Sequence, residues 1–248
     1  MRCVADKIME AVILCAGTGS RLKNVSNETP KCMIEISGSP LIVYTLNKLA
    51  KSHINDIYIN LHYKPEIIKK YLGDGLKYNL KITYSYEENL LGTAGALNNF
   101  KNHIIGDFMV IYGDTYRELD FSEMINAFYK LNCIGLIALH KPENIFDSGV
   151  VALDSEFKIL EFIEKPKFNA NNKNKFDYSN AGVYIFKNEI FNYIPARGFS
   201  DFGKDIFPIL LNNQDLFGFP INGTVIDIGT PERLQKLNDY MLRAPTNS

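Results

Sequence analysis

From residue 11 to residue 140, short apolar runs alternate with stretches of helical spacing, and few folds accept that rhythm. AVILCA (11–16), DIYINLH (56–62), KITYSY (81–86), DFMVIYG (107–113) and CIGLIALH (133–140) have the length and the β-branched or aromatic content of buried strands. Between them, PLIVYTLNKLAKS (40–52) begins at Pro40, and PEIIKKYLG (65–73) is opened by Pro65 and closed by Gly73. A further helix is expected from Thr93 to Asn102, and DFSEMINAFYKL (120–131) offers Asp120 or Ser122 as its N-cap. Strand, helix, strand repeated in this way pairs in parallel through right-handed crossovers and needs helices on both faces. The expectation is an α/β fold around a mostly parallel sheet.

The rhythm changes after His140. SGVVALD (148–154), KILEFIE (158–164) and NAGVYIF (180–186) read as strands without long helices between them, and NANNKNK (169–175) as an exposed loop. A helix over 202–211, a strand over 224–227 and a final helix over 231–242 complete the chain. There is no internal repeat and no linker. We read residues 10–243 as one domain, with a short extension at 1–9 and a tail at 244–248. An α/β half therefore leads into a mixed half that can lay a second substrate beside the first.

Composition narrows the function. Lys and Arg number 27 against 28 Asp and Glu, a net charge of −1, which lacks the basic face expected of a nucleic-acid partner. No apolar run approaches the ~20 residues that span a bilayer, and MRCVADKIME carries charges where a signal peptide needs an apolar stretch. The four cysteines (3, 15, 32, 133) form no CxxC pair, and the four histidines (53, 62, 103, 140) lie on unrelated segments. Reduced thiols in a cytoplasmic protein are expected, with no zinc site and no membrane.

ILCAGTGSRLKNVSNETPK (13–31) carries the first sign of chemistry. Gly17 and Gly19 follow the first strand, where open α/β sheets bind ligands. The dinucleotide fingerprint needs a glycine at position 22, which is Leu22, and the P-loop spacing is also absent. A plain tight turn would satisfy the glycines alone. Arg21 adds a planar fork suited to phosphate oxygens, and Lys31 a point charge stiffened by Pro30. Two cations beside exposed backbone N–H groups suit a polyphosphate.

G-x-G-[ST]-R-L followed by P-K resembles the signature of the sugar-1-phosphate nucleotidylyltransferases. Five further segments match that family in order: LGTAGAL (91–97), GD (113–114), FIEKP (162–166), NAGVYIF (180–186) and DIGTPE (227–232). The resemblance covers about residues 10–240. It implies the Rossmann-like, GT-A-like fold of the nucleotide-diphospho-sugar transferases, and a reaction that joins a nucleoside triphosphate to a sugar 1-phosphate with release of pyrophosphate. RLKNV…PK is most like the D-glycero-D-manno-heptose-1-phosphate guanylyltransferases and LGTAGAL is similar to the mannose-1-phosphate guanylyltransferases, so GTP is implied; uridylyl and cytidylyl relatives stay open as alternatives. KNVSNET replaces the Pro-Leu-Thr stretch of many relatives, and Cys32 stands where a second proline is common. The chain is too short for the C-terminal β-helix of longer members, and the resemblance leaves a homo-oligomer open.

Carried over residue by residue, the resemblance puts the nucleotide against Leu14, Ala16, Gly17, Gly19, Arg21, Lys31, Gly92, Thr93, Gly113 and Asp114. It puts the sugar phosphate against Gly149, Glu164, Lys165 and Asn180, and Mg2+ on Asp114 and Asp227. Arg21, Lys31 and Lys165 are the implied catalytic cations. The residues by themselves allow blander roles: an N-cap for Asp114, a solvated charge pair for Glu164 and Lys165, helix capping for Gly92 and Thr93. Period-2 alternation would turn Glu164 and Lys165 to opposite faces unless the strand ends there, which Pro166 favours.

The chemistry agrees with what is missing. A phosphate monoester has a second pKa of about 6 and is already ionised at neutral pH, so a reaction at phosphorus needs no Ser, His or Cys triplet, and none is recognisable. Two rivals share the fold. A nucleotide-sugar-dependent glycosyltransferase would typically carry Asp-x-Asp, whereas the segment here is YGDTY (112–116). A binding module that had lost catalysis would be expected to lack a phosphate cation, and none is missing.

Overall fold

The first apolar run forms β1 (Glu10–Leu14), whose side chains part to opposite faces of a sheet. Ala11 and Ile13 join one buried cluster and Val12 another, the pattern of a strand covered on both sides. The computed structural model describes residues 9–19, 29–141, 144, 148–166, 176–213 and 215–243. Arg21, the 169–175 loop, residues 1–8 and the 244–248 tail lie outside them.

β2 (Glu35–Ile36) and β3 (Ser39–Pro40) form a small antiparallel hairpin before α1 (Leu41–Lys51). The alternation continues through β4 (Asp56–Leu61), α2 (Pro65–Leu72), β5 (Lys81–Tyr86), a single turn α3 (Gly92–Gly95) and β6 (Phe108–Tyr112). β7 (Thr115–Arg117), α4 (Phe121–Lys130) and β8 (Gly135–His140) follow, with Asp120 capping α4 by accepting from the Ser122 amide at 2.8 Å. The mixed half supplies β9 (Val150–Leu153), β10 (Ile159–Ile163), β11 (Tyr178–Phe186), α5 (Phe207–Asn212), β12 (Leu216–Pro220), β13 (Val225–Asp227) and α6 (Pro231–Arg243).

β1 lies between β4 and β6, parallel to both, and β5 extends the parallel run beyond β4. Their carboxyl ends therefore share one edge, where α/β sheets place ligands. The expected parallel rhythm breaks at β8. It does not join β6; β11 enters between them, antiparallel to each, and β12 then pairs with β8 in parallel. β11 is the longest strand, nine residues, and its buried residues 181–186 fill the space between β6 and β8. The expected helix from Thr93 to Asn102 is shorter and tighter, α3 followed by a 3-10 turn at Ala96–Phe100.

The two faces bury different partners. One packs α1, α2 and α4 through residues such as Leu46, Ile68 and Met124. The other is aromatic: Phe202 stacks on Phe186 at 5.2 Å and on Phe207 at 5.7 Å, with Tyr184 edge-on to both Phe202 and Phe207. A third, smaller cluster joins Ile34 and Ile36 to Ile226, Ile228 and Leu234, and so fixes β13 and α6 against the first half.

Candidate active site

The carboxyl ends of β1, β4 and β6 open into a cavity of about 320 Å3. Leu14, Ala16 and Gly17 line it from β1 and the glycine turn, Lys31 from the Pro-Lys segment, and Gly92 and Thr93 from α3. A second cavity of about 850 Å3 lies beside it, and Gly149, Glu164, Lys165, Asn180 and Asp227 line that one. Thr93, Tyr112, Asp114 and Asp201 line both. Of the residues proposed from sequence for the nucleotide, Leu14, Ala16, Gly17, Lys31 and Gly92 line only the smaller cavity, Thr93 and Asp114 line both, Gly19 and Gly113 line neither, and Arg21 lies outside the described residues; Gly149, Glu164, Lys165 and Asn180, proposed for the sugar phosphate, line only the larger.

Several glycines are there for space. A Cβ on Gly113 would stand 2.6 Å from Cys15 Sγ and 3.0 Å from the Leu14 carbonyl, so only glycine lets β6 leave the sheet against β1. Gly19 has φ +66 and backs onto the stem of Lys31. A Cβ on Gly149 would meet Phe162 Cζ at 2.4 Å and Glu164 Oε2 at 2.9 Å, so its bareness leaves room for the Glu164 carboxylate.

β10 ends at Ile163, and Lys165 takes a left-handed φ of 46°. That twist turns Glu164 and Lys165 into the same cavity. Non-glycine residues held at positive φ concentrate at functional sites. Burial, and then the charge of Asp201, push the Glu164 carboxyl above its ordinary range. Asn180 is fixed at both ends, donating to Tyr184 Oη at 2.7 Å and accepting from the Gly182 amide at 2.8 Å. Gly182 sits in a bulge of β11 at φ +68. Arg117, 3% exposed, braces that bulge by donating to the carbonyls of Ala181 (3.0 Å) and Tyr112 (3.1 Å).

The two acids proposed for Mg2+ lie at the ends of paired strands, Asp114 just before β7 and Asp227 at the end of β13. β13 runs antiparallel to β7 with Asp227 opposite Thr115, and the Ile228 amide donates to the Asp114 carbonyl at 3.0 Å. Asp114 accepts from Lys31 Nζ at 3.2 Å. Asp227 accepts from the Gly229 amide at 2.9 Å and from Arg233, which sequence reasoning did not single out. Among the described residues no three His, Cys, Asp or Glu side chains gather into a metal cage. Two carboxylates on adjacent strand ends fit the style of Mg2+, which keeps waters and phosphate oxygens as its other ligands.

Other lining residues also went unnoticed in the sequence. Glu87 is 3% exposed, and its carboxylate accepts from Asn60 Nδ2 (2.8 Å) and the Leu91 amide (3.0 Å). Asn60 in turn accepts from the Cys15 amide at 2.8 Å. Asp201 comes from the mixed half yet lines both cavities, accepting from Thr93 Oγ1 at 2.9 Å and the Gly203 amide at 3.0 Å. The division into one half per substrate is therefore not clean.

Comparison with known proteins agrees with this architecture. The family model described as Nucleotidyl transferase matches residues 10–243. A bifunctional protein GlmU from Methanococcus vannielii is 35% identical over 241 residues, covering 95% of this chain and 55% of its own length. A UTP–glucose-1-phosphate uridylyltransferase from Synechocystis sp. is 31% identical, covering 96% of this chain and 65% of its own. The chain spans about half the length of the GlmU relatives it matches. Among solved structures, HddC from Yersinia pseudotuberculosis complexed with GMP-PN superposes with a TM-score of 0.77 at 29% identity, over 94% of this chain and 99% of that one. No described helix is long and apolar enough to cross a membrane. By the span of the family model and by these identities, the chain belongs to the nucleotidyl transferase family.

Proposed function

We propose that the protein joins a nucleoside triphosphate, GTP by preference, to a hexose or heptose 1-phosphate, giving a nucleotide sugar and pyrophosphate. The observation that carries this reading is the meeting of two cavities at Thr93, Tyr112, Asp114 and Asp201, with Lys31 lining one and Lys165 the other. Two mutually repelling anions can be held there in line, each against its own cation. The attacking phosphate oxygen is already ionised at neutral pH, so catalysis reduces to positioning and charge neutralisation. Lys165 steadies the incoming phosphate. Lys31, with Arg21 on sequence grounds, steadies the departing pyrophosphate. Asp114 and Asp227 would hold Mg2+, which supplies further neutralisation of phosphate charge.

Relatives alone do not choose the base: UTP stands in the name of one and GMP-PN in the structure of another. Glu87 favours guanine. A buried carboxylate only accepts hydrogen bonds, and guanine alone among the common bases presents two adjacent donors, N1–H and N2–H2, on its pairing edge. Uracil and thymine offer one N–H between two carbonyls, which a carboxylate repels. The test is a panel of four triphosphates against several hexose and heptose 1-phosphates, read by pyrophosphate release. GTP should give the highest kcat/KM. Release of a nucleoside diphosphate from a nucleotide sugar, with no pyrophosphate from any pair, would instead identify a glycosyltransferase.

A further inference from the structure

We propose that Phe199 is a nucleobase-contacting residue: its ring is the apolar wall on which the base of the triphosphate stacks, so that the second half of the chain completes the nucleotide site. The inference rests on the nucleotidyl-transfer reading and adds to it a contact that neither the motifs nor the relatives assign.

Phe199 is 65% exposed, and Leu90, beside it on the rim of the smaller cavity, is 42% exposed. Two large apolar side chains on the rim of one cavity offer a surface that a ligand entering it can cover. The ring is nevertheless not loose at its root. The Ser200 amide donates to the Leu91 carbonyl at 2.9 Å, and the Ser200 carbonyl accepts from the amides of Ala94 and Gly95, both at 3.0 Å. On the following residue, Asp201 accepts from Thr93 Oγ1. The preceding Gly198 has φ +91, which lets the chain turn into this ladder. Phe199 Cε2 lies 3.1 Å from where a Cβ of Gly92 would be, so the ring edge rests over a glycine with no side chain to displace it. One part of the ring is thus seated while the rest faces the cavity.

The chemistry of the occupant follows from what surrounds the ring. Among the described residues the cation lining the same cavity is Lys31, paired with Asp114 on the wall shared with the larger cavity. A triphosphate goes to that side. Leu90 and Phe199 flank the α3 turn, whose Leu91 amide is bonded to Glu87. A flat heteroaromatic ring satisfies both demands there, presenting its face to Phe199 and its edge to Glu87. Base–aromatic stacking tolerates any base, because every base has a π-face; Phe199 supplies affinity, and Glu87 the choice.

The chain has no tryptophan, so Phe199→Trp places a single reporter at this position. Titration with GTP in the absence of sugar 1-phosphate should quench its fluorescence. In calorimetry, Phe199→Ala should weaken GTP and UTP by similar factors, roughly 5- to 150-fold. Its KM for sugar 1-phosphate should stay within about twofold, because the ring lines only the smaller cavity. Its melting temperature should hold, because the ring is mostly exposed. An unquenched Phe199→Trp together with wild-type GTP affinity in Phe199→Ala would overturn the proposal. So would loss of self-association in Phe199→Ala with nucleotide binding intact, which would make the ring a contact between copies. If the wild-type protein binds no triphosphate at all, the nucleotidyl-transfer reading itself fails, and this inference falls with it.

Discussion

Gly92→Ala should damage fold and nucleotide binding together. Gly92 has φ +80, and an added Cβ would stand 2.3 Å from the Ser200 carbonyl oxygen and 2.9 Å from its carbon. Neither atom belongs to a side chain that can swing away. That carbonyl accepts from both Ala94 and Gly95, and the Ser200 amide donates back to Leu91, so three backbone hydrogen bonds hold the obstacle in place. Relieving the overlap requires a retreat of roughly 1 Å, to an ordinary van der Waals distance, which breaks at least two of them. At about 0.5–1.5 kcal/mol net for each bond and about 1–2 kcal/mol for a left-handed alanine, the loss is about 2–5 kcal/mol. The lower entropy of an unfolded alanine chain returns about 0.4–1 kcal/mol. The net loss is about 1–4.6 kcal/mol, and for a chain of this size the melting temperature should fall by roughly 2–18 °C. GTP affinity should fall with it, because Gly92, Thr93 and Phe199 all line the smaller cavity. Thermal and urea denaturation with calorimetric GTP titration make the measurement. Gly17→Ala is the control: nothing lies within 4 Å of its added Cβ, and its stability should change by less than about 0.5 kcal/mol. A Gly92→Ala protein that melts within about 1 °C of wild type and binds GTP normally would refute the reasoning.

Asp114→Asn and Asp227→Asn should each abolish turnover while circular dichroism stays native; full activity of either at limiting Mg2+ removes that residue from the metal site. Lys165→Ala should weaken use of the sugar 1-phosphate and leave GTP affinity nearly intact, because Lys165 lines only the larger cavity; the reverse result in calorimetry would put Lys165 on the nucleotide. Glu87→Gln should lower the GTP-to-UTP ratio of kcat/KM by roughly 5- to 150-fold, the equivalent of about 1–3 kcal/mol for an unmatched buried donor or acceptor. It should also lose one bond within the protein, since Asn60 and Leu91 donate to different oxygens of Glu87 and one of these becomes an NH2 donor in glutamine. An unchanged ratio would transfer base choice to another residue.

What the sequence made legible was what depends on local pattern. Continuous apolar runs such as AVILCA predicted strands covered on both faces, and β1 is one. Pro166 predicted that β10 stops early enough for Glu164 and Lys165 to share a cavity, and they do so through the positive φ of Lys165. Strand-end acids were visible at 114 and 227, but their adjacency was not, because it comes from the pairing of two three-residue strands far apart in sequence. LFGFP is illegible as a strand, since Gly218 and Pro220 are poor strand formers; β12 forms beside β8, where a Cβ on Gly218 would meet Leu139 Cδ1 at 2.5 Å. Glu87 stands in the polar stretch YEEN, which reads as solvated, and only the fold buries it against Asn60. The cation on Asp227 comes from Arg233 in the first turn of α6, six residues on, and no motif in the sequence marks that pairing.

The insertion of β11 between β6 and β8 sets the order in which the protein can be made. β6 is complete at Tyr112 and β8 at His140, but the strand that separates them runs from Tyr178 to Phe186. A nascent chain emerging at about 5–20 residues per second leaves the flank of β6 open for several seconds while β8 is already available to it. The two run in the same direction, each being antiparallel to β11, so nothing in strand polarity forbids their pairing wrongly. A fragment that ends before residue 178 is therefore expected to leave the β6 edge unpaired and to aggregate, and addition of residues 178–186 is expected to restore solubility.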